Sequence, residues 1–161
     1  MQIEMSIKGL MVDPVSNMPI VILRDRDGVR TLPIWVGMFE ANAIALQIEN
    51  VATPRPMTHD LLRNVIQDLT ASVEKIVVSD LQDTTFFAQI HLALNGETVA
   101  IDARPSDAVA LALRADAPIF VEHDLLVGMG IVPEAAEEEK LSLFRDFINS
   151  LDDSDPPPSS R

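Results

Sequence analysis

Two carboxylates and one guanidinium lie within a short stretch of the chain, as Asp102, Arg104 and Asp107. Pro105 follows the arginine, and because a proline fixes its own φ and disfavours helix for the preceding residue, we expect a helix to begin at Pro105. The free amide groups of a first helical turn attract anions, and an adjacent arginine adds paired donors for phosphate or carboxylate. The stretch therefore predicts that Arg104 binds a phosphate, with Asp102 and Asp107 as catalytic candidates.

The arginine–proline pair occurs a second time, at Arg55 and Pro56, just before another predicted helix. The first turn of that helix carries His59 and Asp60. The helix dipole disfavours a protonated histidine there, so a neutral His59 is suited to act as a base, a ligand or a hydrogen-bond donor. A plain surface histidine explains the same sequence equally well. We predict Arg55 as a second phosphate-binding residue and His59 as a third catalytic candidate.

The acidic side chains near these helix starts also suit a divalent metal ion. Oxygen ligands are those that Mg²⁺ and Mn²⁺ prefer, and such ions assist phosphodiester hydrolysis. The predicted metal ligands are Asp60, Asp102, Asp107 and Glu40, the last from the first turn of an earlier helix. Their spacing is not diagnostic, because the dipole alone stabilises an acid in a first helical turn by about 0.3–1 kcal/mol.

The same charged residues have a purely structural explanation. Each arginine can pair with a nearby acid, such as Asp60, Asp102 or Asp107, and lock a helix to the sheet. Breaking a buried ion pair costs about 3–5 kcal/mol, so stability alone accounts for such pairs. Ser106 is interpreted as a helix-start hydroxyl, and no Ser–His–Asp arrangement of recognisable spacing occurs. The residues therefore leave both a catalytic centre and a structural ion network open.

The composition bounds the class of protein. The chain has 161 residues, of which 47% are hydrophobic, and this suits one globular domain with a substantial core. It has no cysteine, no signal-peptide pattern at its start and no long apolar run, so we expect a cytoplasmic protein without a membrane segment. The formal net charge of −13 disfavours non-specific attraction to nucleic acid or to anionic membranes.

Hydropathy patterns assign the charged stretches to strand ends and helix starts. Alternating and β-branched runs predict strands over residues 2–8, 19–23, 29–36, 73–81, 86–94, 97–102 and 118–121. Helices are predicted over 37–50 and 58–71, from Pro105 through an apolar run, and over 134–151. In the second helix, Thr58 is the expected N-cap, and the expected buried stripe comprises Leu61, Leu62, Val65, Ile66 and Leu69.

Asn95 and Gly96 form the strongest hairpin signal, because both residues tolerate the positive φ of a two-residue turn. A turn of this length sets the register of its flanking strands. The resulting pairs are Leu92 with Val99, Ile90 with Ile101, and Gln89 with Asp102. The first two pairs share an apolar face, and the third lies on the more polar face of the sheet.

Together these elements predict an α+β domain with a largely antiparallel sheet packed with three to four helices. The domain is predicted to span residues 1–132, followed by an amphipathic helix over 133–151 and a disordered, acidic, proline-rich tail over 152–161. Pro33 predicts either an edge position or a bulge for the third strand. The sequence has no glycine-rich phosphate loop after a strand, which argues against nucleotide-binding folds of that kind.

Three motifs in order resemble the bifunctional nuclease domain family. They are LPIWVG at 32–37 followed by Glu40, RPMTHDLL at 55–62, and IDARPSDAVALA at 101–112 followed by Pro118 and Ile119. The resemblance covers about residues 1–132. It implies a bacterial or plant domain with both DNase and RNase activity, in a fold particular to the family, that assembles into a homo-oligomer.

Two hypotheses of function follow. In the first, the chain is a metal-dependent nuclease in which Asp102, Asp107 and Asp60 or Glu40 hold Mg²⁺ or Mn²⁺, Arg55 and Arg104 bind the scissile phosphate, and His59 assists proton transfer. In the second, it is a non-catalytic oligomeric binding or regulatory module whose charged cluster is structural. Convergence of the three aspartates on an open pocket near Arg55 or Arg104 would favour the first hypothesis.

Overall fold

The computed structural model describes residues 1–129, which form one mixed sheet and four helices. The strands are β1 (Gln2–Val12), β2 (Pro19–Asp25), β3 (Thr31–Trp35), β4 (Ser72–Gln82), β5 (Thr85–Leu94), β6 (Glu97–Ala103) and β7 (Ile119–Glu122). The helices are α1 (Met38–Ile48), α2 (Thr58–Asp68), α3 (Pro105–Ala115) and α4 (His123–Met129). These elements confirm the predicted α+β class.

The strand order is β3-β2-β1-β7-β4-β5-β6, and every neighbouring pair is antiparallel except β7 with β4. Two antiparallel groups, β1–β3 and β4–β6, therefore lie side by side with β7 between them. The chain reaches this central position from the edge strand β6 through α3, which crosses over β4 and β5.

The hydrophobic core lies between one face of the sheet and the helices. Alternate residues of the strands face it, among them Leu23, Leu32 and Ile76, and α3 contributes an unbroken buried run from Ala108 to Ala112. A helix without a polar stripe in this segment is stable only inside the protein, because burial removes its apolar surface from water. The prediction of a buried third helix is confirmed.

The β5–β6 hairpin has the predicted turn and register. Asn95 and Gly96 have φ values of 52° and 80°, the positive values that a two-residue turn requires. Leu92 pairs with Val99, Ile90 with Ile101, and Gln89 with Asp102, as predicted. Pro33 lies in β3, an edge strand, which also agrees with the sequence prediction.

The predicted buried stripe of α2 is largely wrong. Of its five members only Ile66 is buried, whereas the others are 38–68% exposed. The buried residues of α2 are instead Ile66 and His59, because the helix packs against α3 and turns its remaining apolar side chains toward open space beside β6. The predicted N-cap also moves by one residue, since Thr58 is the first helical residue and Met57 occupies the cap position.

The remaining boundaries differ from prediction by a few residues, and α4 was not predicted. Leu126 of this short helix is fully buried in the core, so the helix is part of the domain. The predicted C-terminal helix and tail lie outside the described residues, as do the last residues of the predicted domain. Within residues 1–129, no helix combines the length and apolar character needed to cross a bilayer.

Candidate active site

An open cleft of about 830 Å³ lies between α1, α2, the start of α3, the middle of β5 and the end of β6. Most of its wall is apolar and comes from Phe39, Leu61, Leu62, Val65, Ile90 and Ile101. Its polar end is formed by Glu40, His59, Arg104 and Asp107. A mostly apolar cavity with a few converging polar groups is typical of a ligand site.

His59 and Asp107 form a hydrogen-bonded pair at the polar end. Nε2 of His59 lies 2.9 Å from Oδ1 of Asp107, and His59 is only 8% exposed. A carboxylate accepts but does not donate, so Nε2 carries the hydrogen and Nδ1 of the neutral ring has a free lone pair. Among the described residues Nδ1 has no hydrogen-bond partner, and it is not fully buried, since no fully buried polar side-chain atom is left unpaired there. His59 itself lines the cleft.

Arg104 occupies the N-cap of α3 and joins two acids. Its Nε and Nη2 atoms lie 3.0 and 2.8 Å from Oδ2 of Asp107, and Nη2 lies 2.5 Å from Oε1 of Glu40. Hydrogen bonds to Glu40 and then to Asp107 raise the pKa of Arg104 above its ordinary value. Because the arginine side chain is 66% exposed, a charged guanidinium remains within reach of an incoming anion.

Gly37 gives Glu40 room to reach this arginine. Gly37 is the N-cap of α1, and a β-carbon added there would collide with Oε2 of Glu40. The glycine has an extended backbone with a negative φ, so space, and not conformation, is what the site requires at this position. Gly37, the last residue of the LPIWVG motif, therefore allows Glu40, three residues later, to contact Arg104.

Asp60, one residue after His59, belongs to a second ion pair. Its Oδ1 accepts from Nε of Arg114 at 2.7 Å, and its Oδ2 accepts from the Met57 amide at 2.9 Å. Burial acts to raise the pKa of the Asp60 carboxyl, but the bonds from Met57 and Arg114 outweigh it and hold that pKa below its usual value. Each carboxylate oxygen of Asp60 therefore already accepts a hydrogen bond, one from the start of α2 and the other from Arg114.

Two residues predicted for the site stand apart from this cluster. The Arg55 side chain is exposed and makes no hydrogen bond or ion pair with the described residues. Asp102 is exposed at the cleft rim, but strand alternation and its pairing with Gln89 put it on the sheet face opposite Ile101 and the helices. Neither side chain contacts His59 or Asp107.

The four carboxylates predicted as metal ligands do not come together. Glu40 and Asp107 share the Arg104 guanidinium, Asp60 pairs with Arg114, and Asp102 lies on the other sheet face. In residues 1–129, no group of three or more His, Asp or Glu side chains is arranged to hold a metal ion. The described donors therefore do not fit a protein-built cage for Mg²⁺ or Mn²⁺.

Arg114 is the residue of this region that sequence reasoning missed. It is 7% exposed and bonds to residues of three helices. A signal was present, since Arg114 lies seven positions after Asp107 and therefore on nearly the same face of α3. A lone arginine two turns after a charged helix start, in an otherwise apolar helix, predicts a buried and paired guanidinium.

Comparison with known proteins identifies the family. A sequence model described as the bifunctional nuclease domain matches residues 21–134, which include all of the cleft residues. The chain belongs to the bifunctional nuclease domain family. The family resemblance of the three sequence motifs is thus confirmed. One relative that aligns with nearly the whole chain is an uncharacterized protein of Mycobacterium tuberculosis. It is 38% identical over 161 residues, and the alignment covers 94% of this chain and 96% of the relative.

More distant relatives carry the nuclease name. Bifunctional nuclease 2 of Oryza sativa subsp. japonica is 28% identical over 77% of this chain and 39% of the rice protein. Bifunctional nuclease 1 of Arabidopsis thaliana is 29% identical over 70% of this chain and 36% of the plant protein. The chain therefore spans less than half the length of these plant relatives.

Proposed function

We propose that the chain is a nuclease that hydrolyses phosphodiester bonds of RNA or DNA in the cleft. The observation that carries the proposal is the contact between His59 Nε2 and Asp107 Oδ1, which leaves His59 Nδ1 without a described hydrogen-bond partner in a cleft that the exposed Arg104 also lines. Membership of the bifunctional nuclease domain family, and the names of the plant relatives, support the same activity.

Each group of the cluster has a role in the proposed reaction. Asp107 orients the His59 ring, and Nδ1 accepts a proton from an attacking water or from a ribose 2′-hydroxyl, a step that typically contributes about 10²–10⁴-fold. The deprotonated oxygen forms a bond to phosphorus as the bond from phosphorus to the leaving oxygen breaks, and the leaving oxygen takes a proton from solvent water. Arg104 donates to the phosphate oxygens, whose negative charge increases in the transition state. The hydrogen bond to Glu40 keeps the Arg104 guanidinium at the cleft and restricts its rotation.

Arg55 is proposed to bind phosphate outside the cleft. It lies in the segment just before α2, close in sequence to the cleft residues Met57 and His59, and its side chain is exposed. The protein as a whole carries a formal charge of −13, so a polyanionic substrate must be attracted by local cations. We propose that Arg55 and Arg104 provide such cations.

Assistance by Mg²⁺ or Mn²⁺ is a separate proposal that the mechanism above does not use. The described carboxylates do not form a ligand set by themselves, so no step is assigned to a metal ion. The supporting argument is chemical, because such ions are frequently bound by one or two carboxylates together with substrate phosphates. Cleavage measured with added ion and after chelation tests this point independently of His59.

The proposed activity is tested with purified protein and labelled single-stranded RNA and DNA. We expect His59→Gln to lower kcat/KM by about 10²–10⁴-fold, because the glutamine cannot act as the base. The matched control is His91→Gln, since His91 lies in the middle of β5 and bonds only to Gln89 among the described side chains. Equal cleavage by His59→Gln and wild type would reject the proposed site, and no cleavage by wild type would reject the activity.

A second candidate function is a non-catalytic binding or regulatory module. The observation that favours it is the pairing of Arg104 with both Glu40 and Asp107, which is what a structural ion network requires. Under this alternative, the Glu40→Gln and Asp107→Asn variants lose stability, and neither wild type nor variant cleaves nucleic acid. Thermal melting measured beside the cleavage assay separates the two functions.

We further propose that the protein is a cytoplasmic homo-oligomer. Apolar side chains around the cleft support assembly, because Phe39 is 90% and Leu61 55% exposed. Within residues 1–129, the edge strand β6 also has a strand partner on one side alone. Light scattering of the purified protein should give more than one chain per particle. We expect Leu61→Glu to shift the population toward single chains without loss of the fold, and a monomeric wild type would contradict the proposal.

A further inference from the structure

One buried guanidinium connects the three helices that carry the cleft residues. Arg114 lies in the last turn of α3, and its side chain is 2% exposed. Its Nε atom bonds to Oδ1 of Asp60 in α2 at 2.7 Å, Nη1 to the Ala110 carbonyl in α3 at 2.9 Å, and Nη2 to the Ala43 carbonyl in α1 at 3.0 Å. The planar, fork-shaped group thus has one fixed partner in each helix.

Each contact lies close to a polar residue of the cleft. Asp60 is next to His59, and Ala43 lies one helical turn after Glu40. Arg114 itself lies two turns after Asp107 on the same face of α3. Over a few residues, a helix is nearly a rigid body. The three bonds of Arg114 therefore set the positions of His59, Glu40 and Asp107 relative to one another.

Hydrophobic packing of α2 is limited, so directional polar contacts contribute to its position. Only His59 and Ile66 of α2 are buried, whereas most of its apolar side chains are exposed toward the cleft. The apolar contact of one buried isoleucine is not directional and does not fix the rotation of a helix. The bond from Arg114 to Asp60 is a charged, directional contact adjacent to the residue whose ring must meet Asp107.

We propose that Arg114 is a positioning residue that holds His59 and Asp107 in hydrogen-bonding contact. It does not itself line the cleft, so it acts through α2 and not on a substrate. The expected effect on cleavage rests on the proposed nuclease function. The expected effect on the His59–Asp107 contact does not, because that contact can be measured in a protein without activity.

The experiment compares Arg114→Met and Arg114→Lys with wild type and reads out the tautomer of His59. ¹⁵N spectra of the imidazole rings, assigned with single histidine variants, distinguish Nε2–H from Nδ1–H in the neutral ring. Wild type should show His59 as the Nε2–H tautomer. We expect Arg114→Met to give a mixture of tautomers below its melting temperature, and Arg114→Lys, which keeps a charge near Asp60, to restore much of the wild-type signal.

A remote arginine provides the matched control. Arg24 is part-buried and bonds to the Gly28 carbonyl in the β2–β3 hairpin, in the other half of the sheet. Arg24→Met removes the same group but should leave the His59 tautomer unchanged, even where it lowers the melting temperature. A merely structural role for Arg114 predicts the same result for Arg114→Met, namely a lower melting temperature with an unchanged tautomer, and that result overturns the proposal.

The cleavage rate provides a second measurement. If Arg114→Met does not fold, the Asp60→Asn variant tests the same proposal. Where wild type cleaves nucleic acid, we expect Arg114→Met to lower kcat by about 100-fold, the cost of a misplacement near 1 Å, with a much smaller change in KM. Asp60→Asn keeps the shape of the partner and should show the same changes more weakly. Wild-type tautomer and kcat in Asp60→Asn would overturn the proposal, whereas an inactive wild type with the expected tautomer shifts would reject only the nuclease function.

Discussion

His59 and Asp107 are separated by 48 positions in the chain, and their side chains meet at 2.9 Å. The histidine comes from the first turn of α2 and the aspartate from the first turn of α3. Both helix starts follow an arginine–proline pair in the sequence. The repeated sequence pattern therefore corresponds to a physical contact between two helix starts, with one arginine, Arg104, in that contact and the other, Arg55, outside it.

Asp107 should be far more important for cleavage than Asp102. Asp107→Asn removes the carboxylate that accepts from His59 and Arg104, and we expect kcat/KM to fall by about 10²-fold or more. Asp102→Asn changes an exposed residue on the other sheet face and should retain most of the activity. Steady-state kinetics of the two folded variants measure the difference. A comparable loss in Asp102→Asn would instead support the catalytic role that the sequence predicted for Asp102.

Gly37→Ala should disturb the Arg104 cluster at low cost in stability. The added methyl group meets the Glu40 carboxylate, which is flexible enough to move but would then leave Arg104. We expect a fall in kcat/KM with a change in melting temperature of only a few degrees. Gly128→Ala is the control, because a β-carbon there meets no atom of the described residues within 4 Å. Unchanged kinetics in Gly37→Ala would show that the Glu40–Arg104 contact does not affect activity.

The free energy of unfolding should depend on acid pH through Asp60. Because the pKa of Asp60 is lowered in the folded protein, its stabilising contribution is complete above the ordinary value of 3.8 and is lost as the pH falls through the lower folded pKa. Urea unfolding at a series of acid pH values should show a steeper loss for wild type than for Asp60→Asn. Asp68→Asn, at the exposed end of the same helix, is the control and should follow wild type. Parallel curves for wild type and Asp60→Asn would contradict this role.

Arg55 should affect binding of nucleic acid more than its hydrolysis. If Arg55 contacts one phosphate, Arg55→Ala lowers the slope of log affinity against log salt concentration by about 0.7 for a single strand. Fluorescence anisotropy with a catalytically inactive His59→Gln background measures this slope. Arg26→Ala provides the control, because Arg26 is 84% exposed in the distant β2–β3 hairpin and pairs only with Glu4 among the described residues. Equal slopes for both variants would remove Arg55 from the binding surface.

Local signals in the sequence predicted most of the fold. The Asn95–Gly96 turn determined the β5–β6 register because positive φ at both positions allows few alternatives. Pro105 determined the start of α3 for a similar reason. The strand order could not be predicted, since the insertion of β7 between β1 and β4 depends on contacts between residues far apart in the chain.

The candidate site was predictable in part. The helix starts and their charged residues were identified from local patterns, but the partner of each charge depends on how α1, α2 and α3 pack together. Asp60 was expected near Arg55 or Arg104 and instead bonds to Arg114. Burial was predicted wrongly for most apolar residues of α2. Helical spacing shows which apolar residues share a face, but it does not show whether another element covers that face.

The position of β7 has a consequence for the order of events during synthesis. This four-residue strand alone connects the two halves of the sheet, since it pairs with β1 on one side and β4 on the other. A nascent chain that has not yet exposed Ile119 to Glu122 therefore has unpaired edges on both β1 and β4, which are open to pairing with other chains. The N-terminal meander, which ends at Trp35, therefore waits for more than 80 further residues of translation before β7 is made and protects its inner edge.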